Sequence, residues 1–223
     1  MGPKSRTILQ SLTDADLSHA AFPFMTSQEI SVGEIKVRAT RITYVGELGW
    51  ELYLPTVDGL ALWEKIMAAG KSQGIKACGY RAIESLRLEK GYRAWAGEIN
   101  TETNPYEAGL GFAVSLKKDN FHGKAAALAA QANLTRKLVA ITFDDITCVP
   151  FGSEPIRIGE KIVGRIKSGG QGYTIKKAIA YAYLPIAQTE VGTKVDVELF
   201  GTWRSGVICA EPLFDPSNER IRL

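Results

Sequence analysis

Histidine and cysteine are scarce in this chain of 223 residues, which contains two histidines and three cysteines. His19 and His122 are isolated, and no histidine or cysteine pair has the spacing of metal ligands. Cysteines that are odd in number and far apart (Cys78, Cys148 and Cys209) exclude the even disulfide framework of a small secreted scaffold and favour a reducing compartment. The isolated histidines also give no support to a Ser-His or Cys-His nucleophile.

A large excess of charge and a long apolar run are also missing. The 27 basic and 24 acidic residues leave a net charge of +3, and the basic residues are evenly spread, so an electrostatic footprint for nucleic acid is excluded. No apolar run approaches the roughly 20 residues that span a bilayer, and the opening MGPKSRTILQSLTDAD has no hydrophobic segment of a secretory signal. We expect no nucleic-acid or membrane partner, and a cytoplasmic location or, in a eukaryote, the mitochondrial matrix.

The composition is that of a globular protein, with 45% hydrophobic and 23% charged residues. The length fits one large domain or two small ones. The opening GPKSRTILQSL predicts a turn and a short helix, since Ile8, Leu9 and Leu12 recur at helical spacing. Because a first domain more usually opens with a buried strand, we expect this sequence to be the C-terminal piece of something larger.

The segment EIKVRATRITYVGELGWELYLP has the pattern of a β-hairpin. Its first part is rich in strand formers, GELG has a glycine at both ends and predicts the turn, and WELYLP returns. Side chains alternate along a strand, so Trp50, Leu52 and Leu54 share one face of the return strand. Glu51 and Tyr53 share the opposite face, away from the apolar row.

Helical patterns follow this hairpin. Asp58 is expected to cap a first helix, which ends near Gly70 and Gly74. The apolar stripe of this helix consists of Leu62, Trp63, Ile66 and Met67. A second helix is predicted over residues 81–90, and AGLGFAVSL predicts a further strand. This order of strands and helices predicts the α+β fold class.

Short β segments dominate the sequence after the alanine-rich helix FHGKAAALAAQANLT. The segments follow one another about every ten residues, between Gly, Pro and Asp turns, and are KLVAITF, EPIRIG, KIVGRIKSG, KAIAYAYL, TKVDVELF and SGVICAE. They predict a small antiparallel barrel or sandwich. SGGQGYT lacks the Lys-Ser/Thr pair of a phosphate loop and predicts a hairpin turn instead. We therefore predict two domains, at residues 1–133 and 134–223.

The segment TYVGELGWELYL contains the best candidate for a binding site. It can be a plain hairpin whose Glu47 and Glu51 face water. It can also be a ligand site, because a carboxylate held beside aromatic rings accepts two N–H bonds from a flat nitrogen heterocycle such as a pterin, whose face stacks on the rings. Glu51 is the better candidate of the two carboxylates.

SLRLEKGYRAW is a second candidate. Glu84 and Arg87 lie three residues apart on the predicted helix and Gly91 follows it, so a surface ion pair and a C-cap explain the pattern. Alternatively, Arg87 holds a carboxylate or orients the acidic residues of the hairpin.

Four segments resemble, in this order, the aminomethyltransferase (glycine cleavage T-protein) superfamily. They are YVGELGWELYLP, GYRAIESLRLEKGYRAWAGEI, TNPYEAGLGFAVSLKK and FHGKAAALAA. GPKSRTILQSL is similar to the GP(K/T)SR helix in the middle of those chains, and AEPLFDPSNERIRL to the end of dimethylglycine and sarcosine dehydrogenases or oxidases. The resemblance covers nearly the whole chain. It implies a partial T-protein-like folate-binding domain (ferredoxin-like β/α) followed by a small antiparallel β-barrel.

The resemblance also implies a tetrahydrofolate site that serves the transfer of an aminomethyl or methylene group. The glutamate that closes the family's GExGxE pattern hydrogen-bonds the pterin and corresponds to Glu51. The tyrosine that opens the motif corresponds to Tyr44, and an aromatic residue after the PxEAGL segment corresponds to Phe112. The folate-binding residues implied in this way are Tyr44, Gly46, Glu47, Glu51 and Phe112, and Arg87 of the second candidate segment is added to them.

Two departures limit what the resemblance implies. T-proteins have an arginine where this chain has Ile83, which suits the dehydrogenase-like branch. The family's catalytic aspartate precedes the GP(K/T)SR helix, so no catalytic residue is expected in this chain, and FAD is expected only in a missing N-terminal half or a partner. The implied partners are folate, a small methylated amine donor, and an N-terminal partner chain or a homo-oligomer. The alternatives are a non-catalytic regulatory or scaffold module and a folate-dependent demethylase.

Overall fold

The computed structural model describes residues 1–223, which form five α-helices and nine β-strands. The helices are α1 (Ser5–Gln10), α2 (Gly59–Gly70), α3 (Tyr80–Lys90), α4 (Lys124–Ala132) and α5 (Glu219–Arg222). The strands are β1 (Ser27–Val32), β2 (Ile35–Thr40), β3 (Glu51–Tyr53), β4 (Arg136–Phe143), β5 (Pro155–Ile158), β6 (Lys161–Gly172), β7 (Lys177–Pro185), β8 (Lys194–Leu199) and β9 (Thr202–Cys209). None of the helices is both long enough and apolar enough to cross a bilayer.

The chain divides into two compact units. One consists of Met1–Arg87 with Asp215–Leu223, and the other of Leu88–Phe214. In the second unit, Glu89 at the end of α3 accepts backbone N–H bonds from Thr174 and Ile175 (2.7 and 3.0 Å) in the turn between β6 and β7. The boundaries of these units differ from the boundary between the predicted domains, which are residues 1–133 and 134–223. The predicted division into these two domains stays a prediction.

The first unit contains a three-stranded antiparallel sheet in the order β1-β2-β3. The predicted pairing of the two hairpin strands is confirmed, with Arg38 opposite Tyr53 and Thr40 opposite Glu51. The predicted GELG turn is wrong, because the pairing ends at Thr40 and Glu51 and residues 41–50 form a longer loop. Strand β1 was not predicted, although its Ile30 and Val32 alternate with exposed residues and lie in the core.

The core of the first unit lies between this sheet and helices α1 and α2. It includes Leu9, Val37, Trp50 and Leu62, all of them buried. The predicted capping role of Asp58 is wrong, because residues 56–58 already form a 3-10 turn and the Asp58 side chain makes no capping hydrogen bond.

Two of the three other predicted elements between the sheet and the barrel are confirmed. Helix α3 ends at Gly91, whose φ of +73° is a left-handed conformation that suits glycine, and α4 is the alanine-rich helix. The strand predicted for AGLGFAVSL is wrong. Its backbone bonds locally instead, from Leu110 N–H to the Pro105 oxygen (2.7 Å) and from Ala113 N–H to the Leu110 oxygen (3.0 Å), around a 3-10 turn over Gly111–Ala113.

The predicted small antiparallel barrel is confirmed in the second unit. Six strands close in the order β4-β7-β6-β5-β8-β9, and β9 pairs with β4. Their inward side chains form one cluster that includes Ile141, Ile156, Ile166 and Ile208. The SGGQGYT segment is the end of β6 and the start of the turn to β7, as the hairpin prediction requires.

The barrel core allows a direct test of its packing. Ile156 is fully buried, whereas Ile162 on the next strand is 50% exposed. We expect Ile156→Ala to lower the free energy of unfolding by about 2–5 kcal/mol because it leaves a cavity. Ile162→Ala should cost about 1 kcal/mol or less. Urea unfolding followed by circular dichroism measures both, and equal losses would contradict this barrel core.

Candidate functional site

Residues 41–50, hereafter the site loop, join β2 to β3 and include three of the predicted folate-binding residues. The hydroxyl of Thr43 accepts N–H bonds from Val45 (3.2 Å) and Glu47 (3.3 Å), which folds the first half of the loop into a tight turn. The backbone at position 46 has a φ of +74°, a left-handed conformation that favours glycine. A Cβ on Gly49 would lie 2.8 Å from the Met1 Cα atom, so only glycine fits there.

Glu51 and Tyr53 lie on the same face of β3, as predicted. The Tyr53 hydroxyl donates a hydrogen bond to Glu51 Oε2, while Glu51 Oε1 has no hydrogen-bond partner within the protein. Tyr53 is 54% exposed and Glu51 is partly exposed, so both are open to a ligand. The hydrogen bond and then the charge of Glu51 raise the pKa of Tyr53. The pair therefore presents an acceptor oxygen beside an aromatic ring.

Glu47 is held in place by an ion pair. Its Oε1 lies 2.8 Å from Nη1 of Arg220 in α5, and its side chain is only 16% exposed. The other oxygen, Oε2, is buried without a hydrogen-bond partner. Glu47 is thus a fixed, largely desolvated carboxylate rather than a surplus surface charge.

Trp50 is the last residue of the site loop, and two guanidinium groups lie near its indole ring. Arg6 and Arg41 lie 5.9 and 5.8 Å from the ring centroid, within range of cation–π attraction. Arg41 is fully buried and donates to the backbone oxygens of Phe22 (2.7 Å) and Leu223 (2.6 Å). Burial, followed by the charge of Arg6, lowers the pKa of Arg41.

Arg87 and Phe112 lie outside this loop. The side chain of Arg87 is 1% exposed and pairs with Glu84, to which Nε donates at 3.1 Å. The predicted pairing of residues three apart is present, but the prediction of a surface pair is wrong, because Arg87 is buried and Glu84 is only 26% exposed. Phe112 belongs to the second unit, where it is 87% exposed in its 3-10 turn. The folate-binding roles of all six predicted residues stay predictions.

A cavity of about 550 Å³ lies on the other face of β3, within the first unit. Trp50 and Leu52 line it together with Ile8 of α1 and Trp63 and Met67 of α2. Because side chains alternate across a strand, Glu51 points away from this cavity. No group of three or more His, Cys, Asp or Glu side chains in the structure is arranged to hold a metal ion.

Sequence reasoning missed the arginines that hold the site loop. Arg220 is 173 positions from Glu47, and no local pattern connects the two. Arg6 and Arg41 are also brought to Trp50 by the fold alone. The only sequence signal was the position of Arg41. An arginine that directly follows an alternating strand is expected to be buried and then needs a hydrogen-bond acceptor.

Comparison with known proteins gives two family matches and several related chains. The GCVT N-terminal domain matches residues 1–118, and the glycine cleavage T-protein C-terminal barrel domain matches residues 136–215. Human mitochondrial dimethylglycine dehydrogenase is 44% identical over 225 residues, and the aminomethyltransferase of Symbiobacterium thermophilum is 36% identical over 222 residues. The crystal structure of the glycine cleavage system aminomethyltransferase T from Bartonella henselae superposes with a TM-score of 0.82 at 28% identity.

The shares of each chain that match are unequal. The match to the dehydrogenase covers 99% of this chain and 26% of the relative, and the match to the Symbiobacterium enzyme covers 98% and 59%. The Bartonella structure covers 94% of this chain, which covers 57% of that one. The chain thus spans about a quarter of the length of the dehydrogenase.

The Tyr53–Glu51 contact can be tested without a ligand. In Glu51→Gln the carboxylate charge that disfavours tyrosinate is gone, so we expect the pKa of Tyr53 to fall toward its ordinary value of about 10. Alkaline titration of tyrosinate absorbance, corrected by subtracting Tyr53→Phe, measures it. Glu64→Gln, which removes an exposed carboxylate on α2, is the matched control, and an unchanged titration of Tyr53 in Glu51→Gln would contradict the contact.

Proposed function

Because the chain belongs to the aminomethyltransferase (glycine cleavage T-protein) family, we propose that it is a tetrahydrofolate-binding module for one-carbon transfer, as in dimethylglycine and sarcosine dehydrogenases. The observation that carries this proposal is the state of Glu51. One carboxylate oxygen is held by Tyr53 and the other has no partner in the protein, on an open face of β3.

The residues present fit a pterin in their chemistry. A pterin has an edge of adjacent N–H donors, and a carboxylate is the acceptor that binds such an edge most strongly. The free Oε1 of Glu51 supplies that acceptor, and the exposed ring of Tyr53 supplies aromatic surface beside it. Tyr44, on the site loop, is partly exposed and offers a second ring.

Each residue then has a role in positioning. When bound, tetrahydrofolate supplies the nitrogen that accepts the one-carbon unit. Glu51 orients the pterin edge and Tyr53 holds the Glu51 carboxylate in one rotamer, so the ligand is presented in a fixed orientation. Fixing the reactants in this way accounts for much of the rate enhancement in group transfer. No residue of this chain is assigned a proton transfer.

The donor and any flavin are assigned to other parts of the protein. The match covers only 26% of the human dehydrogenase. We therefore propose that the small methylated amine and any FAD bind outside residues 1–223, in a longer chain or in a partner chain. In a eukaryote the mitochondrial matrix is the proposed location, since the dehydrogenase relatives are named as mitochondrial.

Loss of the Glu51 charge should weaken folate binding. A hydrogen bond to a charged group contributes about 1.5–3 kcal/mol, so Glu51→Gln is expected to raise the Kd for tetrahydrofolate about 10- to 100-fold. Anaerobic isothermal titration calorimetry of the 223-residue chain measures it. Glu64→Gln, which removes an exposed carboxylate on α2, should leave the Kd unchanged.

Two outcomes would count against the proposal. If the chain with its native sequence gives no heat with tetrahydrofolate, alone and together with its N-terminal partner, the folate function is rejected. If it binds and Glu51→Gln binds equally well, the pterin is not held by Glu51.

A further inference from the structure

Residues 215–223, hereafter the clasp, belong to the first unit and pack against the site loop. The clasp consists of a turn at residues 215–218 followed by the short helix α5. Ile221 anchors it in the interior, with 5% of its surface exposed. Nothing in the folate-binding motif explains why this segment lies against the loop.

The clasp has a defined internal structure that places Arg220. The two carboxylate oxygens of Asp215 accept the backbone N–H groups of Glu219 (3.0 Å) and Arg220 (3.2 Å). Asn218, at a φ of +59°, donates its N–H to the Asp215 backbone oxygen. The backbone of Arg220 is therefore fixed before its side chain reaches the loop.

The clasp contacts the site loop directly near its start and in its middle, and Arg6 of α1 links it to the end of the loop. At the start, Arg41 donates to the backbone oxygen of Leu223 at 2.6 Å. In the middle, Arg220 pairs with Glu47 at 2.8 Å. At the end, Arg6 donates to the same Leu223 oxygen while its guanidinium lies near the Trp50 ring.

The middle contact is the ion pair between the clasp and the site loop. Glu47 is 16% exposed and one of its oxygens has no hydrogen-bond partner, so Arg220 supplies the ion-pair partner of a largely desolvated carboxylate. Without Arg220, whose side chain is 48% exposed, the Glu47 carboxylate loses its ion-pair partner, and this destabilises the loop conformation that keeps the carboxylate largely desolvated. Loss of the exposed pair Arg38–Glu29, with side chains 55% and 77% exposed, has no such effect.

We propose that Arg220 is a positioning residue: through Glu47 it fixes the site loop, and thereby the place from which Glu51 and Tyr44 are presented to folate. The expected effect of Arg220 on folate binding rests on the proposed function. The expected effect of Arg220 on the conformation of the site loop does not depend on a ligand. Glu51 begins β3 directly after the loop, so motion of residues 47–50 displaces its backbone.

The first experiment measures the loop without folate. In Arg220→Gln we expect amide hydrogen exchange over residues 43–50 to become several-fold faster, while exchange in α2 and β1 stays unchanged. Arg220→Lys should restore slow exchange, since a single N–O contact to Glu47 suffices. If Arg220 only stabilised the fold, Arg220→Gln would speed amide exchange throughout the first unit. Arg220→Lys would then not restore slow exchange specifically in the site loop.

The second experiment adds folate. We expect Arg220→Gln to raise the Kd for tetrahydrofolate about 5- to 20-fold, and Glu47→Gln to do the same, with the double variant no worse than either single one, because both act through one contact. Lys177→Gln, which breaks the exposed Lys177–Asp144 pair in the second unit, serves as the control with unchanged Kd.

The two experiments separate the two claims. Unchanged loop exchange in both Arg220→Gln and Glu47→Gln overturns the inference, whether or not folate binds. Faster loop exchange together with no folate binding by the native sequence supports the positioning of the loop and rejects the folate function. If Arg220→Gln does not fold, Glu47→Gln decides the question, since it removes the charge of the other partner in the same contact and should speed exchange in the site loop in the same way.

Discussion

The alternation of side chains across β3 is the constraint on which the candidate site depends. Trp50 and Leu52 contribute to the core and the adjoining cavity, and this fixes the register of the strand. A shift by one residue would bury the charge of Glu51 and expose the indole, at a cost of several kcal/mol. The hydrophobic effect thus determines where the acceptor oxygen points, although Glu51 makes no contact with the core itself.

Charge controls the loop that precedes this strand. Arg6, Arg41 and Arg220 come from distant parts of the sequence and reach the loop or the clasp that packs on it. Arg6 and Arg41 share the backbone oxygen of Leu223 and the ring of Trp50, whereas Arg220 pairs with the Glu47 carboxylate. The shared acceptor oxygen and aromatic ring offset part of the repulsion between the two neighbouring guanidiniums.

The sequence predicted what local patterns determine. Strand alternation was enough to place Glu51 and Tyr53 together, and the recurring β segments were enough for the barrel. The hairpin turn at GELG failed because a turn signature says nothing of a buried residue such as Arg41, which extends the loop. The Arg220–Glu47 pair could not be predicted, since its partners lie 173 positions apart and only the completed fold brings them together.

Gly46 and Gly49 of the YVGELGWE motif have structural roles in the site loop. A positive φ restricts the first, and the backbone of Met1 leaves no room for a side chain on the second. Backbone conformation and lack of space therefore disfavour substitutions at these two positions, independently of any ligand. A family member that has lost its ligand would still keep the glycines and would still be found by a search for the motif. The two glycines of the motif therefore describe the fold of the loop, whereas the proposed contact with folate rests on Glu51.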